Sequence, residues 1–428
     1  MAHHTQLTQL PSGLRVVSAN MAAAESVSIG FWVSAGARDE QAHEHGIAHM
    51  LEHMAFKGTA GRSAADIARE VEDKGGYINA HTSREETAYY LRLMAEDLSF
   101  GVDLLADILI NSTFPEEEID REKGVIIQEI GQALDTPDDV VFDLFQQIGH
   151  PNNPMGRPIL GTVDSVSSFS QADLFGFQAR HYSASSIIIS AAGQVDHDAL
   201  VKLVEAAFSG LPTSAKTAPR DLPIWPSSAS KRREVMMRDL EQAHLVIGLP
   251  GMSFADKDRM ALSAMGILYG GGMSSRLFQE AREKRGLCYS VFAFGQSFSD
   301  SGVMAIYAGT SQDDVDEMIK LTGQELVDIA DNASVEETTR AVAQMRAGLR
   351  MQQESVANVG EAMARQMMIY GELKSPSYWL EEINAITNED IKRVAGRLLE
   401  YAPVMAGIGP GGADDWLDAS ALSACFSR

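Results

Sequence analysis

Two histidines and a glutamate near the start of the chain have the spacing of a metal-binding helix. Residues 49–53 read His-Met-Leu-Glu-His, the pattern H-x-x-E-H. Because successive residues of an α-helix turn by about 100°, His49, Glu52 and His53 share one side, while Leu51 faces the other. Two neutral imidazoles at this spacing suit a tetrahedral zinc ion, and a carboxylate beside them can take a proton from metal-activated water. The alternative is an ordinary surface helix. A third ligand elsewhere in the chain would distinguish a metal site from that alternative.

A second helical segment carries two glutamates whose positions do not suit a solvent-exposed helix face. Glu122 and Glu129 are seven residues apart, so they share a helix face to within about 20°. The same face carries Val125, Ile126 and Ile130, and an unpaired carboxylate is costly within an apolar stripe. We therefore expect something buried to neutralise both charges, and a divalent metal would do so.

Hydrophobic patterning predicts an α+β fold in two copies. Strands are expected at 14–17, 27–33, 77–82, 87–93, 187–193 and 404–409, and helices at about 67–74, 98–110 and 116–133. Helix caps at Ser170 and Thr387 lie 217 positions apart, and each leads to an apolar strand. That repetition suggests one unit used twice. At the second-copy position of the candidate metal helix, residues 264–268 include no ligand type.

The length of 428 residues suits two domains of about 200 residues each. The stretch 211–230 is rich in Pro, Ser, Ala and Thr, which is typical of a linker. We therefore predict an N-terminal metal-bearing domain at 1–210 and a C-terminal homologous domain without metal at 231–428.

Composition narrows the classes of partner and compartment. The formal charge of −24 disfavours nucleic acid and anionic membranes as partners and would attract cationic peptides. Two cysteines, Cys288 and Cys425, are sparse usage that favours a reducing compartment or indifference to redox. No signal core, Arg-rich presequence or membrane-length apolar run is visible. We expect a cytoplasmic protein, or a mature form whose targeting segment is absent.

The whole chain resembles the pitrilysin/insulinase family of zinc metallopeptidases, most closely the β-subunit type of mitochondrial processing peptidase and its short bacterial relatives. The motifs that carry the resemblance are HGIAHMLEHMAFKGT at 45–59, NAHTSRE at 79–85, REKGVIIQEI at 121–130, GRPILG at 156–161, SRLF at 275–278, Arg282 and GLCY at 286–289. The resemblance implies two homologous α/β-sandwich domains, each an antiparallel-rich sheet covered by helices. Together they would form half of a clamshell chamber.

The resemblance also implies a third ligand. In that family it is a glutamate far beyond the motif, at a characteristic separation that Glu129 reproduces relative to His53. One Zn²⁺ per chain would then be bound by His49, His53 and Glu129, with water in the fourth position. Glu52 would be the general base and later the proton donor to the leaving amine. Glu122 would orient a ligand or assist catalysis, unless it is a buried structural carboxylate.

Further positions match the family's substrate contacts. Asn79 and Ala80 resemble its substrate-binding edge strand, which adds the peptide as an extra strand. Family members often carry an aromatic residue where His81 stands, so its effect on the pocket beyond the scissile bond is open. Arg282 and Tyr289 match a pair that contacts the substrate backbone near the scissile carbonyl, where both side chains can stabilise a developing oxyanion.

Two acidic residues and the expected assembly complete the prediction. Asp139 and Asp143 match positions that read an arginine near the cleavage site in processing peptidases, although solvated acidic residues fit equally well. Because one chain supplies half of the family's chamber, we expect a homodimer that provides Arg282 and Tyr289 in trans. A heterodimer with a metal-free partner is the alternative.

These observations predict a zinc endopeptidase of the inverted zincin type, which hydrolyses oligopeptides or presequence-like basic peptides inside a dimeric chamber. Two alternatives are kept open. One is a non-catalytic core or scaffold of the same fold, and the other is a partner subunit that is active only with another chain.

Overall fold

The computed structural model describes residues 4–215, 218–227 and 230–428. Of the predicted linker, residues 216, 217, 228 and 229 lie outside this part of the chain. The strands are β1 (His4–Gln9), β2 (Arg15–Asn20), β3 (Ser26–Val33), β4 (Tyr77–Thr82), β5 (Thr87–Met94), β6 (Ile187–Gly193), β7 (Arg233–Met237), β8 (Ala243–Pro250), β9 (Cys288–Ser297), β10 (Gly302–Thr310) and β11 (Val404–Gly409).

The helices follow the same chain order. They are α1 (Ile47–Met54), α2 (Ala64–Asp73), α3 (Leu98–Ile110), α4 (Glu116–Asp135), α5 (Pro137–Gly149), α6 (Val163–Ser168), α7 (Gln171–His181), α8 (His197–Ala207), α9 (Arg259–Gly270), α10 (Val315–Asn332), α11 (Val335–Gln352), α12 (Val356–Tyr370), α13 (Pro376–Asn384), α14 (Asn388–Leu398) and α15 (Ala419–Cys425). A π-helical segment, Phe278–Lys284, precedes β9. None of these helices, within the described ranges, is long and apolar enough to cross a membrane.

Local patterning located several of these elements. The predicted strands at 77–82, 187–193 and 404–409 are β4, β6 and β11, and the helix at 98–110 is α3. Both predicted caps form: Ser170 accepts from the amide of Asp173, and Thr387 accepts from the amide of Asp390. Sequence patterning predicted no strand at β1, β7, β8, β9 or β10. β1 and β7 each pair with a single neighbour and have no buried apolar run to mark them. β8 and β10 are buried along nearly their whole length, so they lack the alternation of apolar and polar residues that marks a half-buried strand.

The first compact unit comprises the described residues of 1–131, 157–220 and 350–376. Its sheet has the order β1-β2-β6-β3-β5-β4, with β2 parallel to β6 and the other neighbours antiparallel. One face packs on α1, α3, α4, α7 and α8. The other is covered by α12, whose Met363 and Met367 join a cluster with Trp32 and Ile188.

The second unit comprises the described residues of 132–156, 221–349 and 377–428. Its sheet has the order β7-β11-β8-β10-β9, with β7 parallel to β11 and the other neighbours antiparallel. One face packs on α9, α10 and α14, and α5 covers the other. The order and directions repeat β2-β6-β3-β5-β4 strand for strand. The α+β class and the two copies of one unit are confirmed.

Each compact unit is built from three separate segments of the chain, whereas the predicted domains are two continuous segments on either side of one linker. Residues 132–156, which include α5, belong to the second unit, and residues 350–376, which include α12, belong to the first. Each sheet has two apolar faces, and both must be covered to keep them from water. In each unit, one face of the sheet is covered by a helix from the other half of the sequence: α12 covers the first sheet and α5 covers the second. The apolar pattern of a helix does not show which sheet the helix covers, so the sequence alone did not predict this exchange of helices.

Candidate metal centre and active site

Three predicted ligands converge in the first unit. Nε2 of His49 and Nε2 of His53 lie 3.8 Å and 3.7 Å from the same oxygen, Oε2 of Glu129. All three ligand atoms are within 4.8 Å of one another. With ligand atoms about 2.0–2.2 Å from a tetrahedral zinc, neighbouring ligand atoms are about 3.3 Å apart, so small side-chain adjustments close the site.

The start of α1 fixes the direction of these histidines. Gly46 precedes the helix with a φ of +94°, a conformation that favours glycine. A Cβ there would lie 2.8 Å from the Cα of Gly161. The buried carboxylate of Glu40 accepts hydrogen bonds from the amides of Gly46 and Ala48 at 2.9 and 3.0 Å, which satisfies two free N–H groups of the first turn. Burial raises the pKa of Glu40 to about 8, although these amides oppose the change.

The protonation state of His49 suits a metal ligand. Burial, together with the neighbouring His53, lowers the pKa of His49 to about 4. At neutral pH its imidazole is therefore uncharged and offers a nitrogen lone pair, which is the form that binds a metal. Its buried Nδ1 has no hydrogen-bond partner among the described residues, whereas its Nε2 faces Oε2 of Glu129 at 3.8 Å and is the nitrogen that a metal bound there would meet.

His53 is oriented from behind by a buried glutamate. Nδ1 of His53 lies 2.9 Å from Oε2 of Glu122, and Nζ of Lys57 lies 2.6 Å from the other oxygen, Oε1. Burial raises the pKa of Glu122, but the hydrogen bonds from Lys57 and His53 outweigh it, so the pKa lies below its ordinary value. A charged Glu122 keeps a proton on Nδ1 and leaves the Nε2 lone pair free.

Of the two glutamates predicted to be buried on α4, only Glu122 is buried. Glu122 is 3% exposed, as expected, but the Glu129 side chain is 38% exposed and Val125 is 37% exposed. The counter-charge of Glu122 is Lys57 rather than a metal. Shared helix faces were inferred correctly, but a single helix cannot show which of its turns the neighbours cover. Glu129 lies at the open side of the cluster.

Glu52 lies beside the ligands and has a defined partner. Its Oε2 accepts a hydrogen bond of 2.6 Å from the hydroxyl of Thr82, at the end of β4. Burial raises the pKa of Glu52, and this hydrogen bond opposes the rise. Sequence reasoning gave no role to Thr82 or Lys57, although both stand inside the motifs at 79–85 and 45–59. Lys57 lies beyond the end of α1 and contacts Glu122 on α4, so no local spacing in the sequence indicated that contact.

Comparison with known proteins places this geometry in a family. The family model described as "Insulinase (Peptidase family M16)" matches residues 15–163, and the one described as "Peptidase M16 inactive domain" matches residues 168–345. A zinc protease of Rickettsia felis, named as uncharacterized, is 38% identical over 96% of this chain and 98% of its own. The chain belongs to the insulinase (M16) peptidase family. The resemblance found in the sequence is confirmed.

Other relatives of this M16 chain agree. A Bacillus subtilis protein, also named an uncharacterized zinc protease, is 33% identical over 94% of this chain and 97% of its own. Among solved structures, a protease from Helicobacter pylori has a TM-score of 0.88 at 22% identity and covers 96% of this chain and 100% of its own. A chain of Complex III2 from Candida albicans has a TM-score of 0.85 at 21% identity and covers 99% of this chain and 100% of its own. At these identities the two structures show the fold alone.

The predicted substrate strand of the M16 chain has an open edge. β4 is the last strand of its sheet and pairs with β5 on one side. Oδ1 of Asn79 accepts from the amide of Ala80 at 2.8 Å, and its Nδ2 donates to the hydroxyl of Tyr77. His81 lies near Glu86, with Nε2 3.5 Å from Oε1, and Arg365 of α12 donates to that same oxygen at 2.6 Å. His81 is not among the clustered metal-ligand candidates of the described residues.

The second unit of the M16 chain brings Arg282 and Tyr289 together. The Arg282 guanidinium lies 4.7 Å from the ring centre of Phe278 and 4.8 Å from that of Tyr289, so it is held between two aromatic faces. Tyr289 is 74% exposed. Asp139 and Asp143 lie on α5, the first exposed and the second half-buried. Cys288 and Cys425 are free thiols.

Proposed function

We propose that this chain is a zinc-dependent endopeptidase that cleaves oligopeptides or basic, presequence-like peptides. The observation that supports it most is the convergence of His49, His53 and Glu129 with Glu52 beside them. One Zn²⁺ per chain would be held by these three ligands. When bound, zinc supplies a Lewis acid that polarises a peptide carbonyl and acidifies water.

The remaining chemistry belongs to side chains of the chain itself. Glu52 takes a proton from the attacking water and later gives it to the amine of the leaving fragment, so that one carboxylate acts as base and then acid. Glu122 holds the ring of His53 in the tautomer that presents Nε2.

Substrate binding would use the open edge of β4. An extended peptide can pair with the backbone around Asn79 and Ala80 as a further strand. The stacked pair of Arg282 and Tyr289 would stabilise the oxyanion that develops at the scissile carbonyl. We assign Asp139 and Asp143 to recognition of an arginine in the substrate. The formal charge of −24 would draw cationic peptides to the enzyme.

The active assembly in this proposal is a homodimer. Each chain carries both the ligand set and the Arg282/Tyr289 pair, so two copies suffice to supply the pair in trans. A heterodimer with a metal-free chain is the alternative arrangement. Only the similarity of fold supports the alternative of a non-catalytic scaffold. The presence of all three proposed ligands and of Glu52 favours an enzyme.

The proposal is tested with purified full-length protein and a quenched fluorescent cationic peptide. Turnover should require zinc, stop on addition of a chelator and return when zinc is restored. A matched acidic peptide of equal length should be a poorer substrate. Zinc-loaded, dimeric protein without turnover on a peptide library would overturn the proposal of a self-sufficient enzyme.

A further inference from the structure

Thr82 connects the edge strand to the general base assigned above. It is the last residue of β4, and its Oγ1 lies 2.6 Å from Oε2 of Glu52 and 3.5 Å from the carbonyl oxygen of Ala48. Both contacts are to α1, the helix that carries His49 and His53. A hydroxyl has one proton to donate, and the shorter distance assigns it to Glu52.

The direction of the Thr82 side chain follows from the strand. Successive side chains of a strand point to opposite faces, and Ile78 and Ala80 pack against the core that includes α1. Thr82 continues that face, whereas Asn79 and His81 lie on the other. As a β-branched residue, threonine has few χ1 choices, so the hydroxyl is held in place by the strand itself.

The partner of Thr82 across the sheet strengthens this anchoring. Thr82 is directly opposite Thr87 on β5. Thr87 is fully buried and donates its hydroxyl to the carbonyl oxygen of Ala35 at 3.0 Å. Two threonines of similar shape therefore stand side by side, but one hydroxyl reaches the proposed active site and the other ties the sheet to a loop. The pair provides a matched control.

Glu52 needs such a contact for its chemistry. A carboxylate end group rotates over a broad, roughly two-fold energy profile, so its oxygens are interchangeable unless something distinguishes them. The described part of the chain contains no other hydrogen-bond donor to Glu52. With Oε2 occupied by Thr82, Oε1 is the oxygen left for water.

We propose that Thr82 is a positioning residue: its hydroxyl holds one oxygen of Glu52 so that the other faces the attacking water. The inference rests on the proposed peptidase function. It assigns two tasks to β4, whose open edge would align the peptide and whose last side chain would align the base. The scissile bond and the base would then be placed by one rigid element, as efficient proton transfer requires.

Three variants of the full chain test this role. Thr82→Val removes the hydroxyl and keeps the branched shape, Thr82→Ser keeps the hydroxyl, and Thr87→Val is the control across the strand pair. With zinc-loaded protein and the cationic peptide, we expect kcat of Thr82→Val to fall about 10- to 100-fold, with KM and zinc content near those of the wild type. Thr82→Ser should recover most of kcat. Thr87→Val should lower the melting temperature while kcat stays near the wild-type value.

A second readout does not depend on turnover. In crystals of the metal-free protein, the Glu52 carboxylate should keep one orientation in Thr82→Ser and become disordered or rotated in Thr82→Val. An ordered, unchanged Glu52 in Thr82→Val, or wild-type kcat for that variant, overturns the positioning role and leaves the peptidase function standing. An equal loss of kcat in all three variants would show a structural role and overturns it as well. Wild-type protein without chelator-sensitive turnover overturns the peptidase function, and the role of Thr82 with it.

Discussion

Lys57 and Glu122 form an ion pair of 2.6 Å behind His53, one of the three proposed zinc ligands. The same carboxylate contacts Nδ1 of His53 at 2.9 Å. Lys57 therefore keeps Glu122 charged, and the charged Glu122 orients the ring of His53. Partners of this kind commonly change metal affinity by about 10- to 100-fold when they are removed. The pair therefore gives a test of the site that does not require a substrate.

Lys57→Met should weaken zinc binding by about 10- to 100-fold, because Glu122 is left buried without its counter-charge and no longer fixes His53. Zinc dissociation constants measured by competition with a chromogenic chelator check this. Lys74→Met is the control, since Lys74 pairs with Asp97 at 2.6 Å on an exposed surface of the same unit. Equal dissociation constants for the two variants would contradict this role of Lys57.

Arg276, in the SRLF motif, is expected to stabilise the second unit. Its guanidinium binds both carboxylate oxygens of Glu337, at 2.7 and 3.0 Å, and it contacts Asp328 at 2.5 Å. Arg276→Met should lower the free energy of unfolding by about 2 kcal/mol, because the partly buried Glu337 loses its two-point counter-charge and keeps the hydrogen bond from the amide of Ser334. Chemical denaturation measures the loss.

The control for Arg276 is an exposed ion pair of the same unit. Arg285 contacts Glu317 at 3.1 Å, and both side chains are more than two-fifths exposed. Arg285→Met should cost less than about 1 kcal/mol. A loss of similar size in the two variants would show that the Arg276 network contributes no more than a surface pair.

His197 should make the protein less stable in mild acid. Burial lowers the pKa of its imidazole, whose two nitrogens lie 2.8 Å from the hydroxyls of Thr8 and Ser18. A histidine with a folded-state pKa below its unfolded value of about 6.5 binds protons more readily when unfolded, so its contribution to stability is complete above pH 6.5 and is lost as the pH falls. His197→Gln should therefore reduce the fall in unfolding free energy between about pH 7.5 and about pH 5.5. An unchanged slope would contradict this assignment.

Local sequence rules found what depends on helical and strand periodicity. The spacing of His49 and His53, the caps at Ser170 and Thr387, and the bounds of β4 all follow from neighbours within one turn or one strand. Glu129 needed the family resemblance, because the long segment between it and His53 folds back by tertiary packing alone.

What the sequence missed depends on contacts between distant segments. Thr82 lies on β4 and reaches Glu52 on α1, with the whole of α2 between them in the chain. Likewise, α12 begins at Val356, yet it covers a sheet whose strands all lie before residue 194 in the chain. The exposed position of Glu129 depends on which neighbours cover the end of α4. Periodicity within one element contains no information on any of these relations.

Mixed dimers test whether two chains share each active site. Glu52→Gln and Arg282→Ala should each be inactive alone, since one lacks the base and the other lacks the oxyanion contact. If Arg282 acts in trans, each mixed dimer has one intact site, so random 1:1 mixing should restore about a quarter of the wild-type rate. Mass spectrometry must confirm that mixed dimers form. Confirmed mixed dimers without any recovery would exclude the arrangement in trans.

The zinc content and turnover of Glu52→Gln, measured on the same preparation, test the central claim most directly. Because Glu52 is assigned to proton transfer and not to the ligand set, the variant should bind one zinc per chain and lose about 100- to 10,000-fold in kcat. Glu129→Gln, prepared in parallel, should bind zinc weakly. Loss of zinc from Glu52→Gln, or turnover equal to that of the wild type, would contradict the assignment of base and ligands.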